Sequence, residues 1–135
     1  MEKHANGKLR VLVVDDHRDA ADSLAWVLHN FGHEVRAAYD GRSAMRAFQE
    51  LSPQVIFQDL LLPGTSGLEI AGEIRKHSAS RPALLVAMTG AVNAARLRAA
   101  EREAFDHLIL KPVALDELNE VLGKAASQLA GGAAA

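Results

Sequence analysis

Five polar side chains of this sequence stand where predicted strands end, and they could do chemistry together. Asp15 and Asp16 follow the apolar run LRVLVV, Asp59 ends the run QVIFQD, Thr89 follows ALLVAM, and Lys111 follows HLIL. Steps of 43, 30 and 22 residues separate Asp16, Asp59, Thr89 and Lys111. Because polar groups at the carboxyl ends of parallel strands meet at one edge of a sheet, three carboxylates, a hydroxyl and an ammonium group should converge.

Three crowded carboxylates indicate a cation site that can accept a phosphoryl group. Their mutual repulsion raises their pKa values unless a cation joins them, and Mg²⁺ prefers such oxygen ligands. A lysine beside the metal suits the charged oxygens of a phosphoryl group, and a threonine hydroxyl can donate a hydrogen bond to it. One carboxylate can then act as the nucleophile and hold the phosphoryl group as an acyl phosphate.

Short apolar runs alternate with helical patterns along the chain. The predicted strands are Leu9–Val14, Glu34–Tyr39, Gln54–Asp59, Ala83–Met88 and His107–Leu110. This alternation predicts an α/β fold, a five-stranded parallel sheet with right-handed crossovers and helices on both faces. Most of the strand runs are almost continuously apolar, as is typical of buried parallel strands.

Helical spacing fills the segments between the strands. An apolar stripe from Leu24 to Phe31 predicts a first helix that ends at Gly32, and Asp40 is placed to cap the second. Further helices are predicted through Leu68–Ile74, over about Asn93–Glu103, and over Leu115–Leu129. Pro63, Gly64 and Gly67 mark the loop before the third helix, and Pro82 precedes the fourth strand.

Composition limits the alternatives. The chain has 135 residues, 49% of them hydrophobic and 24% charged, which is enough for one globular domain. Without cysteine it has neither disulfides nor thiolate metal sites, and a net charge of −2 provides no general attraction to nucleic acid. We find no signal peptide or membrane span, and we expect a cytoplasmic location. We expect residues 1–8 and 130–135 to be flexible and residues 9–129 to form the domain.

Four motifs in order resemble the receiver domain of two-component response regulators. They are VLVVDDH at Val11–His17, QDLLLPGTSG at Gln58–Gly67, MTG at Met88–Gly90 and LKP at Leu110–Pro112. The resemblance extends from about Leu9 to Leu129. It implies the flavodoxin-like, doubly wound (βα)5 fold with strand order 2-1-3-4-5.

The resemblance also implies roles for the site residues. Asp59 would be the phosphoacceptor and a Mg²⁺ ligand, with Asp16 a direct ligand, Asp15 acting mainly through water, and the backbone carbonyl of Leu61 completing the set. Thr89 and Lys111 would bind the phosphoryl oxygens. The family usually has a cis peptide at the position of Lys111–Pro112.

Two positions depart from the family pattern. Leu108 stands where most receivers have a tyrosine or phenylalanine that moves inward with the threonine, so an aromatic switch is not expected. Gln58 stands before the phosphoacceptor, where an apolar residue is usual, and it needs a hydrogen-bond partner if it is buried.

The resemblance implies a signalling switch and not an enzyme beyond self-directed phosphoryl transfer and autodephosphorylation. A histidine kinase or histidine phosphotransfer protein would phosphorylate it, and output would pass through partner binding or onward transfer. We expect a monomer or weak dimer that binds neither nucleic acid nor membrane. Trp26 lies off the apolar stripe of the first helix and is a candidate partner contact, although peripheral packing would explain it equally well.

Other interpretations remain for the same residues. Asp15 and Asp16 could simply cap the first helix. Phosphohydrolases of the haloacid dehalogenase type combine Asp, Thr, Lys and Mg²⁺, but they carry Asp-x-Asp after the first strand, which DDH does not match. A degenerate receiver that only docks partners, and a flavodoxin-like cofactor binder, are the remaining alternatives. The six histidines show no metal-ligand spacing.

Overall fold

A parallel five-stranded sheet forms the centre of the computed structural model, which describes residues 7–62, 67–77 and 83–134, with side chains through Gln128. The strands are β1 (Arg10–Val14), β2 (Glu34–Ala38), β3 (Val55–Asp59), β4 (Leu84–Thr89) and β5 (His107–Leu110). Their order is β2-β1-β3-β4-β5, as expected. Each predicted strand is present with its ends within one residue of the prediction.

Helices connect the strands and cover both faces of the sheet. They are α1 (Arg18–Asn30), α2 (Gly41–Leu51), α3 (Gly67–His77), α4 (Ala91–Ala95), α5 (Ala99–Glu103) and α6 (Leu115–Ala134). Helices α1 and α6 pack on one face, and α2 and α3 pack on the other. Within the described ranges, no helix is both long enough and apolar enough to cross a membrane.

Alternation along the strands divides the core into two layers. In β3, Val55 and Phe57 face α1 and α6, whereas Ile56 faces α2 and α3. All three side chains are fully buried. The near-continuous apolar runs in the sequence follow from this arrangement, because a central parallel strand must bury both of its faces.

The ends of the helices confirm the predicted roles of Gly32 and Asp40. They also exclude the alternative that the acidic pair Asp15 and Asp16 caps the first helix. Gly32 has φ 100°, a left-handed conformation that suits glycine after the end of α1. The Asp40 carboxylate accepts a hydrogen bond from the Ser43 backbone at 2.7 Å and caps α2. The cap of α1 is His17, whose Nδ1 accepts from the Ala20 backbone at 3.2 Å, so Asp15 and Asp16 are free of that role.

The predicted helix over Asn93–Glu103 was wrong as a continuous element. It is divided into α4 and α5, because Arg98 takes an extended conformation with ψ 161° and starts a new helix. The Glu101 carboxylate accepts from the Arg98 backbone at 3.1 Å and stabilises that start. Arginine and glutamate three residues apart are also common on a continuous helix surface, so the pattern did not reveal the break.

The last helix also differs from its prediction. The helical backbone of α6 continues to Ala134, beyond the predicted end at Leu129 and into the segment expected to be flexible. The loop predictions for Pro63 and Gly64, and the placement of Pro82, lie outside the described residues.

Candidate functional site

Four strand ends bring the predicted site residues together at one edge of the sheet. Asp59, the last residue of β3, is in register with Met88 of β4, and Thr89 is in register with Leu110 of β5. β1 lies beside β3 and delivers Asp15 to the same edge. Lys111 follows β5 directly, and its backbone N–H donates to the Thr89 carbonyl at 2.9 Å.

Asp15 is a buried carboxylate with both oxygens hydrogen-bonded. Its Oδ2 accepts from Lys111 Nζ at 2.7 Å, and its Oδ1 accepts from the His17 backbone N–H at 3.0 Å. Only 2% of the residue is exposed. A charge buried to this extent requires its partners, so the Lys111 ammonium group is essential to the folded site.

Asp59 is the second buried carboxylate. Its Oδ2 accepts from Lys111 Nζ at 2.9 Å, and its Oδ1 accepts from the Leu61 backbone N–H at 2.9 Å. Burial raises the pKa of Asp59 above its ordinary 3.8, and the neighbouring Asp15 adds to this, whereas the bonds from Lys111 and Leu61 act in the opposite direction. The site thus holds a desolvated carboxylate at the end of a rigid strand.

Lys111 bridges the two carboxylates. Burial alone would lower its pKa, but the hydrogen bonds and charges of Asp15 and Asp59 outweigh burial and raise the pKa above 10.5. The lysine therefore carries its positive charge throughout the neutral range. The peptide bond Lys111–Pro112 is cis, as the resemblance implied.

Asp16 completes a cluster that fits a hard divalent cation. One carboxylate oxygen from each of Asp15, Asp16 and Asp59 can be chosen so that all three lie within 4.8 Å of one another. Asp16 is exposed, while the other two are buried. Three carboxylates facing one ammonium group leave a net negative charge, and oxygen donors of this kind are those that Mg²⁺ prefers. The donor set fits the Mg²⁺ site of a receiver.

Thr89 is placed beside this cluster with its hydroxyl unused. The residue is 1% exposed, and Oγ1 has no hydrogen-bond partner within the described part of the chain. A buried hydroxyl without a partner costs about 1–3 kcal/mol. It is therefore available to bind a new acceptor at the edge of the sheet.

The two departures from the family pattern lie in one row across the sheet. Gln58 of β3 is in register with Ala87 of β4, which is in register with Leu108 of β5. Gln58 is fully buried, and its Nε2 donates to the Gly67 carbonyl at 3.1 Å. The partner that Gln58 required is thus a backbone group of α3, which the sequence alone could not identify.

Leu108 borders a cavity of about 220 Å³ between the strands and α5. Its apolar lining includes Leu60, Leu97 and Phe105, and the polar groups around it include Glu101 and Arg102. Leu108 is half-buried and packs against the α2/α3 core layer.

Trp26 is not part of the site. It lies on the outer side of α1 and is 68% exposed, which agrees with its position off the apolar stripe. His17 is the local contributor that the motif search missed. Its backbone N–H binds Asp15 while its ring caps α1, and its place directly after the acidic pair was the available signal.

Comparisons with known proteins agree with this geometry. A family model described as the response regulator receiver domain matches residues 11–123. The regulatory protein AtoC of Escherichia coli K12 is 33% identical over 116 residues, which are 86% of this chain and 25% of AtoC. The chain therefore spans about a quarter of the length of that curated relative.

Solved structures give the same result. A CheY-like receiver domain from Methylobacillus flagellatus superposes with a TM-score of 0.80 and 27% identity, over 88% of this chain and 99% of that one. TrrA from Thermotoga maritima, solved in complex with Mg²⁺–BeF, has a TM-score of 0.74 and 33% identity, over 87% of this chain and 98% of its own. With its fold, its acidic edge and its family match in agreement, this chain belongs to the response regulator receiver domain family of two-component signalling.

Proposed function

We propose that this domain is a phosphorylation switch in which Asp59 accepts a phosphoryl group from a phosphohistidine. The observation that supports this most strongly is the joint contact of Lys111 Nζ with Asp15 and Asp59, at 2.7 and 2.9 Å. A structural ion pair needs one carboxylate for one ammonium group. Two buried carboxylates and an adjacent third suit a site that gains further positive charge.

In the proposed transfer, an Asp59 carboxylate oxygen attacks phosphorus. The new O–P bond forms an acyl phosphate, and the N–P bond of the donor histidine breaks, leaving the electron pair on the imidazole nitrogen. Burial removes water from the Asp59 carboxylate, and the Leu61 N–H holds its orientation through Oδ1. The nucleophile thus needs little reorganisation when the donor arrives.

Mg²⁺ is the proposed cofactor. Asp16, Asp59 and the Leu61 backbone carbonyl would hold it, with Asp15 supporting mainly through water. When bound, Mg²⁺ neutralises the carboxylates and stabilises charge on the transferring phosphoryl oxygens. TrrA was crystallised with Mg²⁺ and a fluoride of beryllium, and we infer the same preference for this chain.

Lys111 and Thr89 would bind the attached phosphoryl group. Lys111 Nζ already contacts Asp59 Oδ2, so it can exchange that oxygen for a phosphoryl oxygen with little movement. The Thr89 hydroxyl, which has no acceptor among the described residues, would donate to a second oxygen. Thr89 would shift towards that oxygen. This shift would alter the end of β4 and the loop after it, and the altered arrangement would be the signalling state.

The donor would be a histidine kinase or a histidine phosphotransfer protein in the cytoplasm, since receivers take their phosphoryl group from such proteins. Output would occur through binding of a protein partner or through onward transfer, and the acyl phosphate would be lost by autodephosphorylation. The exposed Trp26 on α1 is the proposed contact for the donor's helices.

Uptake from a small acyl phosphate such as acetyl phosphate tests the proposal without a kinase. The wild type should incorporate one phosphoryl group in the presence of Mg²⁺ and none with EDTA. Asp59→Asn should incorporate none, while Glu120→Gln, which alters an exposed carboxylate of α6, should match the wild type. Incorporation that persists in Asp59→Asn, or that ignores EDTA, would contradict the proposal.

A further inference from the structure

We propose that Gln58 is a positioning residue for the phosphoacceptor site. Its amide ties the first residue of α3 to β3 and thereby fixes the backbone beside Asp59. The inference rests on the proposed function, since it assigns to Gln58 the alignment of groups that phosphoryl uptake uses.

The contact itself is specific. Gln58 is fully buried, and its Nε2 donates to the backbone carbonyl of Gly67 at 3.1 Å. Its Oε1 has no partner within the described residues. An apolar side chain of the same size would fill the space without leaving a buried acceptor unpaired, which is unfavourable. The amide is therefore unfavourable as packing alone, and its contribution lies in the bond to Gly67.

Gly67 leaves room for that bond because it has no side chain. A Cβ added to Gly67 would lie 3.1 Å from Leu60 Cδ2 and 3.3 Å from Gln58 Nε2, tighter than most Cβ contacts. Glycine allows the start of α3 to approach the end of β3 this closely. The same two side chains, Leu60 and Gln58, thus define how near α3 can come.

The close approach of α3 to β3 affects the backbone that follows β3, beginning at Leu60. The Leu60 N–H donates to the Met88 carbonyl at 3.1 Å, and the Leu61 N–H donates to Asp59 Oδ1 at 2.9 Å. The Gln58–Gly67 bond holds Gly67 directly against Leu60, whose Cα would lie 3.5 Å from a Cβ added to Gly67. This direct contact restricts the positions that the backbone from Asp59 to Leu61 can take.

Stability and site geometry should respond differently to loss of the amide. Gln58→Met removes the donor but also removes the unpaired acceptor, so its net effect on unfolding is small. The alignment of Leu61 with Asp59 is nevertheless lost. Since small misplacements slow reactions that depend on alignment, uptake should fall more than stability does.

The experiment compares wild type with Gln58→Met and with Ile56→Val. Ile56 is buried on the same face of the same strand, and its truncation weakens the core without touching the Gly67 bond. Acetyl phosphate uptake by Gln58→Met should slow by roughly fivefold, the factor that corresponds to one net hydrogen bond. Ile56→Val should keep the wild-type rate despite lower stability.

NMR provides a readout that does not require phosphorylation. In Gln58→Met without Mg²⁺, the signals of the Leu61 amide and the Gly67 carbonyl should shift, and the Leu61 amide should exchange faster with solvent. A titration should then show weaker binding of Mg²⁺ to this variant. Ile56→Val should leave both signals in place.

Gly67→Ala tests the same contact from the helix side. Like Gln58→Met, it should slow the uptake of the phosphoryl group. The double variant should be no slower than the slower single variant, because both changes disrupt one contact. An active wild type with Gln58→Met at the same rate and unchanged Leu61 amide would overturn the inference. An inactive wild type would refute the proposed function instead, and the Leu61 and Gly67 shifts would still decide the role of Gln58.

Discussion

The carboxyl edge of the sheet and the adjoining side of β5 differ in the contacts that hold their side chains in place. At the edge, Lys111 binds two buried carboxylates directly. Three residues earlier, Leu108 borders a cavity of about 220 Å³ beside α5, a helix of only five residues. Charged contacts fix the chemical site in one arrangement, whereas the side that faces α5 has room to repack.

This difference suggests a division of roles. The proposed phosphoryl uptake needs preorganised groups, and the hydrogen bonds at the edge join residues far apart in sequence in such an arrangement. Signalling needs a region whose arrangement can change at low cost, and the loosely packed cavity beside Leu108 has that character. Changes at the edge should therefore have large effects, and changes outside it should have small ones.

Lys111→Met should have the largest effect. It leaves the buried Asp15 and Asp59 without their shared cation, and we expect a loss of about 3 kcal/mol in the free energy of unfolding in EDTA. Because the pKa of Lys111 is raised, its contribution is complete at neutral pH and disappears only as pH rises through the folded value. Urea unfolding measures the loss.

Two controls accompany the Lys111 variant. Lys111→Arg keeps the charge and should lose less stability, and Mg²⁺ should restore more stability to Lys111→Met than it adds to the wild type. Equal losses in both variants, with no benefit from Mg²⁺, would show that the lysine contributes by packing rather than by charge.

Asp59→Asn should have a smaller effect of opposite sign. Since burial raises the pKa of Asp59, the charged form is penalised in the fold, and a neutral amide should stabilise the protein by on the order of 1 kcal/mol, or a few degrees in Tm. The gain should be present at pH 7 and fade as pH falls through the folded pKa towards about pH 4.

Thermal unfolding of wild type and Asp59→Asn at both pH values measures this gain. The control variant Glu120→Gln should match the wild type at pH 7, because that carboxylate is exposed. If Asp59→Asn proved less stable than wild type at pH 7, the carboxylate would be a net stabilising partner of Lys111.

The same contrast, between the edge of the sheet and the region beside Leu108, separates what the sequence could predict from what it could not. Asp15, Asp59, Thr89 and Lys111 each end a strand or follow one directly, so a correct strand assignment was enough to bring them together. The strands were predictable because buried parallel strands are apolar throughout. Helix α1 was predictable from its stripe and from Gly32.

Features that depend on tertiary contacts could not be predicted. Nothing in the local sequence indicates that Gln58 binds the carbonyl of Gly67, because the partner is a backbone group. The cavity beside Leu108 arises from how α5 lies against the sheet, and the break at Arg98 was hidden because Arg98 and Glu101 also suit a continuous helix surface. The cap by His17 was hidden because the preceding aspartates are themselves good capping residues.

Leu108→Tyr tests the looser region and should change stability by less than about 1 kcal/mol, because the adjoining cavity can accept part of the ring. Without an aromatic ring, the wild-type surface near β5 should respond only weakly to phosphorylation, whereas Thr89 should still respond strongly. NMR shift mapping with beryllofluoride measures both. Large wild-type changes over His107–Leu110, with no further gain in Leu108→Tyr, would show that leucine transmits the change equally well.

Trp26→Ala should have the smallest effect on the domain itself. Its side chain is exposed, so stability should change by no more than about 0.5 kcal/mol, and uptake from acetyl phosphate should be unchanged. Phosphorylation by a cognate histidine kinase should weaken. A parallel fall with both donors would place the defect inside the domain rather than at a partner contact.

The most direct test of the central claim is to locate the phosphoryl group chemically. After incubation with acetyl phosphate and Mg²⁺, borohydride reduces an acyl phosphate of aspartate to homoserine, and peptide mass spectrometry identifies the converted position. We predict homoserine at position 59 and nowhere else, with no conversion in EDTA. Conversion at position 15 or 16 instead, or no conversion in a folded protein that binds Mg²⁺, would contradict the assignment of Asp59 as the phosphoacceptor.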